Sequence, residues 1–63
     1  MTSSREIIEK LQAAGWVRVK VRGDHHQFKH PERPGKVTVI HPEKDIGIPL
    51  IKSIERQSGV KLR

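Results

Sequence analysis

Three of the four histidines lie in one ten-residue stretch, residues 22–31, together with a Gly-Asp pair and two basic residues. A histidine can take up or release a proton near neutral pH, and a neighbouring Arg or Lys can bind a phosphate and stabilise its developing charge. Cleavage of an RNA phosphodiester needs little more, because the substrate supplies the 2′-hydroxyl as nucleophile. These residue types therefore indicate phosphate chemistry as one hypothesis.

Metal binding and serine catalysis are the other chemistries that such residues suggest. The chain has no cysteine to complete a zinc site, and its histidines lack the helical spacing of an HExxH motif. No serine stands in the sequence context of a nucleophile elbow. We therefore expect neither a native metal site nor a small-molecule cofactor.

The residues around the histidines predict a β-hairpin. Valines alternate with basic residues over residues 17–22, which is typical of a strand with one apolar face. Gly23 and Asp24 fit a two-residue loop, since both tolerate the dihedral angles of tight turns. This loop would place Arg22 opposite His25 and, further along, Arg18 opposite Lys29.

The pleat of this hairpin sorts its side chains onto two faces. Phe28, His26 and His30 are expected on the apolar face with the three valines. The opposite face is predicted to be basic and carries Arg18, Lys20, Arg22, His25, Gln27 and Lys29. His25 is thus the histidine expected among cations on the surface. The alternative is that His25 is an exposed turn residue without a function and that the cations form an ordinary solvated face.

Two helices are predicted on either side of the strands. Ser3 and Glu6 fit a capping box for a helix over residues 4–14, and Gly15 is suited to end it. Pro49 suits the first turn of a second helix, which Ser58 and Gly59 would end. Its predicted apolar stripe consists of Leu50, Ile51 and Ile54.

The remaining segments complete one small domain over residues 1–63. Residues 31–35 read as a turn, residues 36–40 as a third strand, and residues 60–63 as a loose basic tail. The predicted fold class is α+β, with the order α-β-β-β-α and a three-stranded antiparallel sheet. Both helices should cover its apolar face, because so short a chain can form only one core.

The formal net charge of +6 and the sequence pI of about 10.4 favour a polyanionic partner, of which nucleic acid is the commonest in cells. The alternatives are a solubilising surface or a basic protein that binds an acidic protein partner. No secretory signal and no apolar run long enough to span a bilayer is recognisable, so we expect a cytoplasmic protein without a membrane partner.

The stretch that begins Gly23-Asp24-His25-His26 resembles the start of the second strand in the HicA family of bacterial and archaeal toxins. The resemblance extends over nearly the whole chain. Its other elements are the serine-rich helix start, Gly15-Trp16, Val37-Thr38-Val39 followed by His41-Pro42, and Ile51-Lys52-Ser53-Ile54 up to Gly59. It implies a fold similar to double-stranded RNA-binding domains.

The resemblance also implies an activity, namely metal-independent mRNA cleavage that arrests translation and growth and is neutralised by a cognate HicB antitoxin. His25 matches the position of the family's catalytic histidine, and Gly23 matches a glycine that lets the turn approach the substrate. Asp24 departs from the family pattern, which usually has a small hydroxyl residue there. A carboxylate at this position could repel phosphate or could orient His25.

Two other functions are compatible with the same residues. The first is a non-catalytic RNA-binding module that uses the basic face and leaves RNA intact. The second is a subunit whose basic face mainly serves an acidic antitoxin. Loss of RNA cleavage on replacing His25 would separate the endoribonuclease from both.

Overall fold

The computed structural model describes residues 2–63, which form an antiparallel sheet of three strands in the order β1-β2-β3 together with two helices. The elements in chain order are α1 (Ser4–Ala13), β1 (Val17–Arg22), β2 (His25–His30), β3 (Arg33–Ile40) and α2 (Ile48–Ser58). The predicted α+β fold with the order α-β-β-β-α is confirmed. Within the described residues, neither helix has the length and apolar character needed to cross a membrane.

The helix α1 is fixed at both ends by the residues that the sequence suggested. The Ser3 hydroxyl accepts a hydrogen bond from the Glu6 backbone N–H at 3.2 Å, as an N-cap residue does. At the other end Gly15 has φ of +100°, a conformation that L side chains rarely adopt. A Cβ atom on Gly15 would also lie 2.8 Å from Nε2 of His30. Glycine is therefore required here both by the backbone and by the space available.

One hydrophobic core joins both helices to a single face of the sheet. Its buried members are Ile7, Ile8, Leu11, Trp16, Phe28, Val37, Val39, Ile46, Ile51, Ile54 and Leu62. The helices pack chiefly on β3 rather than on β1. The opposite face of the sheet is consequently left without a covering helix, as predicted.

The three valines of β1 do not belong to this core, contrary to the prediction. Val17, Val19 and Val21 are 56%, 52% and 52% exposed. Val21 is exposed because β1 is the edge strand on the side away from β3, beyond the area that the helices cover. Val17 pairs with Lys29 and therefore lies on the other face of the sheet, and Val19 lies where the pairing is irregular. Alternation of polar and apolar residues predicted the strand, but alternation does not show how far the helices extend over it.

A β-bulge in β1 also changes the predicted register. Arg22 pairs with His25 as expected, and this register holds up to Lys20 and Gln27. Between Lys20 and Arg18 the pairing shifts by one residue, which leaves Val19 as the extra residue of the bulge. Arg18 is therefore opposite Phe28, where the uninterrupted register had placed it opposite Lys29.

The third strand is longer than predicted. It begins at Arg33 and includes Pro34 and Gly35, so the connecting turn is shorter than residues 31–35. Proline is tolerated in β3 because it is the other edge strand, in which every second N–H points away from the neighbouring strand. The pairing of β2 with β3 is irregular between Phe28 and His30, next to this proline-containing segment.

The second helix has the predicted ends but a narrower buried stripe. Pro49 lies in its first turn, and Gly59 caps it in the left-handed conformation with φ of +74°. Ile51 and Ile54 are buried, whereas Leu50 is 42% exposed. Leu50 was predicted in the core and instead lies on the outer side of the helix, beside the uncovered face of the sheet.

The C-terminal residues are packed, so the prediction of a loose tail is wrong. Leu62 is buried, and its backbone N–H donates a hydrogen bond to Oε2 of Glu55 at 2.8 Å. Its carbonyl oxygen accepts a hydrogen bond from Nζ of Lys10 at 3.3 Å. Leu62 thus completes the core between the two helices.

Candidate functional site

The loop between β1 and β2 presents His25 at the edge of the uncovered face. Gly23 has φ of +61°, whereas Asp24, like every other non-glycine residue described, has a negative φ. Positive φ at the first loop position alone is the pattern of a type II′ turn, which favours glycine there. Nothing lies within 4 Å of a Cβ atom built on Gly23, so glycine serves the backbone conformation rather than avoiding a clash.

The side chain of Asp24 turns toward His25. Its Oδ1 atom lies 3.5 Å from Nε2 of the imidazole, and the two side chains are 60% and 57% exposed. This is an ion pair only when His25 is protonated. Because both groups are well solvated, the pair holds the imidazole weakly and leaves it free to turn toward a ligand.

The uncovered face of the sheet collects most of the predicted basic residues. The register places Arg22, His25 and Ile40 in one row across the three strands, and Lys20, Gln27 and Thr38 in the next. Lys29 continues the same side of β2 by alternation. The members of this surface, which we call the basic face, are Lys20, Arg22, His25, Gln27 and Lys29. Their predicted placement on one face is confirmed.

Arg18 does not lie on the basic face, which corrects the prediction. The bulge at Val19 puts it opposite Phe28, on the side of the sheet that the helices cover. Its guanidinium carbon is 5.6 Å from the centroid of the Phe28 ring, within the range of a cation–π interaction. Arg18 therefore covers the edge of the core instead of facing the same ligand as Lys20.

His26 lies on the opposite side of the sheet from His25, as predicted. It is in register with Val21 and the buried Val39, and its ring packs edge to face on His41 at a centroid distance of 5.0 Å. The ring is partly buried, and its Nδ1 atom is fully buried without a hydrogen-bond partner. Burial, followed by the nearby charge of Arg18, lowers the pKa of His26 below its usual value of 6.5.

His41 has a structural position between α1 and the loop that follows β3. Its Nδ1 atom lies 2.7 Å from the Ser4 hydroxyl, which in turn accepts a hydrogen bond from the Glu43 N–H at 2.8 Å. The backbone N–H of His41 also donates to the carbonyl of Asp24 at 2.8 Å, which ties this loop to the hairpin.

His30 likewise has both ring nitrogens engaged. Nε2 lies 3.1 Å from the Ala14 carbonyl, and Nδ1 accepts the Glu32 N–H at 3.0 Å. The ring packs edge to face against Trp16 at 5.4 Å. His30 was predicted to pack with Phe28 and the valines, but its ring packs on Trp16, which lies between α1 and β1. In this arrangement Nε2 donates to the carbonyl and Nδ1 accepts from the backbone N–H.

A cleft of about 470 Å³ separates α2 from the uncovered side of β3, and His25 lies at its rim. The residues that line it are His25, Lys36, Thr38, Ile40, Leu50, Ser53, Ile54 and Gln57. Sequence reasoning singled out only His25 from this set as functional. The period-2 series Lys36, Thr38 and Ile40 was a usable signal that these side chains share a side of β3. No local sequence signal indicated that residues of α2 would line the same cleft, because that depends on how the helix packs against the sheet.

These positions bring an exposed imidazole, several cations and a cleft together on one side of the molecule. Across residues 2–63, no three His, Cys, Asp or Glu side chains cluster closely enough to form a metal site. The groups that could act on a ligand are therefore the His25 imidazole as proton acceptor or donor and the neighbouring cations as anion binders.

Comparison with known proteins identifies the family. The family model described as the HicA toxin of bacterial toxin–antitoxin systems matches residues 4–60, a range that includes all five helices and strands. A comparison with curated proteins gave no significant match. Since the family model covers nearly all of the chain, from the first residue of α1 to just past α2, this protein belongs to the HicA toxin family.

Proposed function

We propose that this toxin is a metal-independent endoribonuclease that cleaves mRNA and thereby arrests translation and growth. Membership of the family supports the role of toxin in a toxin–antitoxin system. The RNA substrate and the catalytic histidine are the proposal. It assigns His25 as general acid or base and the basic face as the surface that binds RNA.

The observation that carries this proposal is the difference between His25 and the other three histidines. Both ring nitrogens of His30 are engaged by the backbone, and Nδ1 of His41 is bonded to Ser4. The ring of His26 packs on His41 on the other side of the sheet. His25 alone among them is exposed on the basic face, with Arg22 as its cross-strand neighbour.

The proposed reaction follows from what these groups can do. Neutral His25 removes the proton of the ribose 2′-hydroxyl, and the resulting oxygen attacks the adjacent phosphorus. The bond from phosphorus to the 5′-oxygen breaks, which leaves a 2′,3′-cyclic phosphate and a 5′-hydroxyl after that oxygen is protonated. Arg22, Lys20 and Lys29 stabilise the charge on the phosphate oxygens during the displacement. His25 could equally supply the second proton, in its protonated form.

The loop residues affect how closely RNA approaches His25. Gly23 has no side chain to separate the backbone of the turn from a phosphate. Asp24 adds a negative charge 3.5 Å from the imidazole. That charge repels a bound phosphate, so we expect it to lower the affinity for RNA.

Because the family is that of toxins from toxin–antitoxin systems, this protein is expected to have an antitoxin partner. We propose that this partner resembles HicB and acts in the cytoplasm, where mRNA is also found. A negatively charged surface that covers His25 and the basic face would inhibit the toxin most simply, because the same cations would bind either the antitoxin or RNA.

The proposal is tested by inducing the parent protein and His25→Ala in parallel and following growth and mRNA integrity. The substituted side chain is exposed, so the variant should fold as the parent does. We expect growth arrest and mRNA fragmentation with the parent and neither with the variant. Growth arrest with intact mRNA in both cultures would instead indicate a non-catalytic RNA-binding module.

A further inference from the structure

We propose that the cleft between α2 and β3 binds one unpaired RNA base next to the phosphate that is cleaved. This inference rests on the proposed endoribonuclease function and adds a base-binding subsite to it. The subsite would make the enzyme prefer single-stranded RNA, although the order of its elements is that of a double-stranded RNA-binding domain.

The position of the cleft connects it to the proposed site of cleavage. His25 belongs both to the basic face and to the rim of the cleft. Ile40, its cross-strand neighbour on β3, lines the cleft as well. An RNA strand whose phosphate contacts His25 would therefore place an adjacent nucleotide at the cleft entrance.

The walls of the cleft have the apolar character that a base requires. Ile40 from the sheet and Leu50 from the helix both line it, and the buried Ile54 contributes to the lining. Leu50 is 42% exposed, which leaves apolar surface available to a ligand. Unstacked bases bind between apolar or aromatic side chains, because both of their faces lose contact with neighbouring bases.

Polar groups at the cleft could read the edge of such a base. Gln57 Nε2 lies 3.5 Å from Ser53 Oγ, so these side chains form a polar edge along α2. Thr38 supplies a hydroxyl from β3. A carboxamide and two hydroxyls together provide both hydrogen-bond donors and acceptors, which is what the edge of a base presents.

The charges at the cleft favour a nucleotide over a neutral or cationic ligand. Lys36 lines the cleft, and none of its lining residues is acidic. The cations of the basic face continue on the same side of the sheet. A paired base would have its hydrogen-bonding edge and its stacking faces already occupied, so a duplex could not fill the cleft.

The test measures the affinity for a short single-stranded RNA that carries 2′-O-methyl groups and so cannot be cleaved. One base at a time is replaced by an abasic sugar. For the parent, we expect one abasic position to lower the affinity by roughly 5-fold, the lower end of the range for a base stacked on an aromatic side chain, because the apolar walls of the cleft are aliphatic. We expect a smaller difference in affinity between the intact and the abasic RNA for each of two variants, Leu50→Ala and Gln57→Ala.

Matched controls are available on the same molecule. Ile48→Ala removes another half-exposed aliphatic side chain of α2, and Gln12→Ala removes an exposed glutamine of α1, and neither residue lines the cleft. Both controls should retain the full effect of the abasic position. An unchanged abasic effect in Leu50→Ala and Gln57→Ala would overturn the inference.

Two further outcomes separate this inference from the proposed function. If His25→Ala still cleaves RNA while the cleft variants lose the abasic effect, the catalytic assignment fails and the base subsite is supported. If Leu50→Ala retains the abasic effect but is no longer neutralised by a co-expressed antitoxin, the cleft is a protein interface and the base subsite is overturned.

Discussion

Arg22 and His25 are direct cross-strand neighbours on the two sides of the Gly23-Asp24 loop. This pairing places a permanent positive charge beside an exposed imidazole on the side of the sheet that no helix covers. Such an arrangement suits a ligand that needs both anion binding and proton transfer, as an RNA phosphodiester does.

Replacing Lys20 should weaken RNA binding through charge, whereas replacing Arg18 should not. Lys20 lies on the basic face, and Arg18 lies over the Phe28 ring on the other side. For single-stranded RNA, one lost phosphate contact should reduce the slope of log affinity against log salt by about 0.7 in Lys20→Ala. Affinity measured at several salt concentrations checks this. Equal slopes for Lys20→Ala and Arg18→Ala would contradict the displacement of Arg18 by the bulge.

Replacing Asp24 by serine should strengthen RNA binding. The substitution removes a negative charge that lies 3.5 Å from the imidazole and introduces a small hydroxyl residue. Since the pair is exposed, we expect a change of roughly two- to fivefold in affinity for uncleavable RNA. Asp24→Asn removes the charge without adding a hydroxyl and is the matched control. Weaker binding by both variants would show that Asp24 orients the site instead of repelling the ligand.

His26 should make the protein less stable in mild acid. The pKa of His26 is lowered in the folded state, mainly by burial. Below pH about 6.5, therefore, the imidazole takes up a proton more readily in the unfolded chain than in the folded chain. The stabilising contribution of neutral His26 is therefore fully present above that pH and is lost as the pH falls toward the lowered value.

Urea unfolding at a series of pH values checks the effect of His26. His26→Gln should show a smaller loss of unfolding free energy between pH 7.5 and 5.5 than the parent. His25→Gln replaces an exposed histidine and is the control that should retain the parent's pH dependence. If His26→Gln loses as much stability on acidification as the parent, the burial of the His26 ring is not the cause of the acid sensitivity.

Replacing Leu62 by alanine should destabilise the fold, although Leu62 lies in the segment 60–63 that was predicted to be loose. Its side chain is buried in the core, so Leu62→Ala should lower the free energy of unfolding by about 2–5 kcal/mol. Lys61→Ala, next to it, removes an exposed side chain and should change stability by less than about 0.5 kcal/mol. Denaturant unfolding of the parent and the two variants checks this. Equal stability of the Leu62 and Lys61 variants would show that the tail is loose.

Local sequence signals predicted most of the fold. The Ser3 cap, Gly15, Pro49 and Gly59 each act at the helix end where it was expected, because capping depends on neighbouring residues. The Gly23-Asp24 loop fixed the register near His25 for the same reason. The bulge at Val19 has no comparable local signal, and it moved Arg18 off the basic face.

Features that depend on tertiary packing were not predictable in this way. The exposure of Val21 and the burial of Leu62 depend on where the helices lie across the sheet. The cleft combines β3 with α2, so Lys36 and Gln57 become neighbours of one cavity only after folding. Within the candidate site, the hairpin residues were recognisable from sequence, and the groups contributed by α2 were not.

The central claim is that the His25 imidazole transfers a proton during RNA cleavage. The most direct measurement is the single-turnover cleavage rate of a short RNA in the presence of EDTA, for the parent, His25→Ala and His26→Gln. We predict a fall of about 10²–10⁴-fold for His25→Ala, a rate near that of the parent for His26→Gln, and no cleavage when the 2′-hydroxyl at the cut site is replaced by hydrogen. An unchanged rate for His25→Ala would contradict the account.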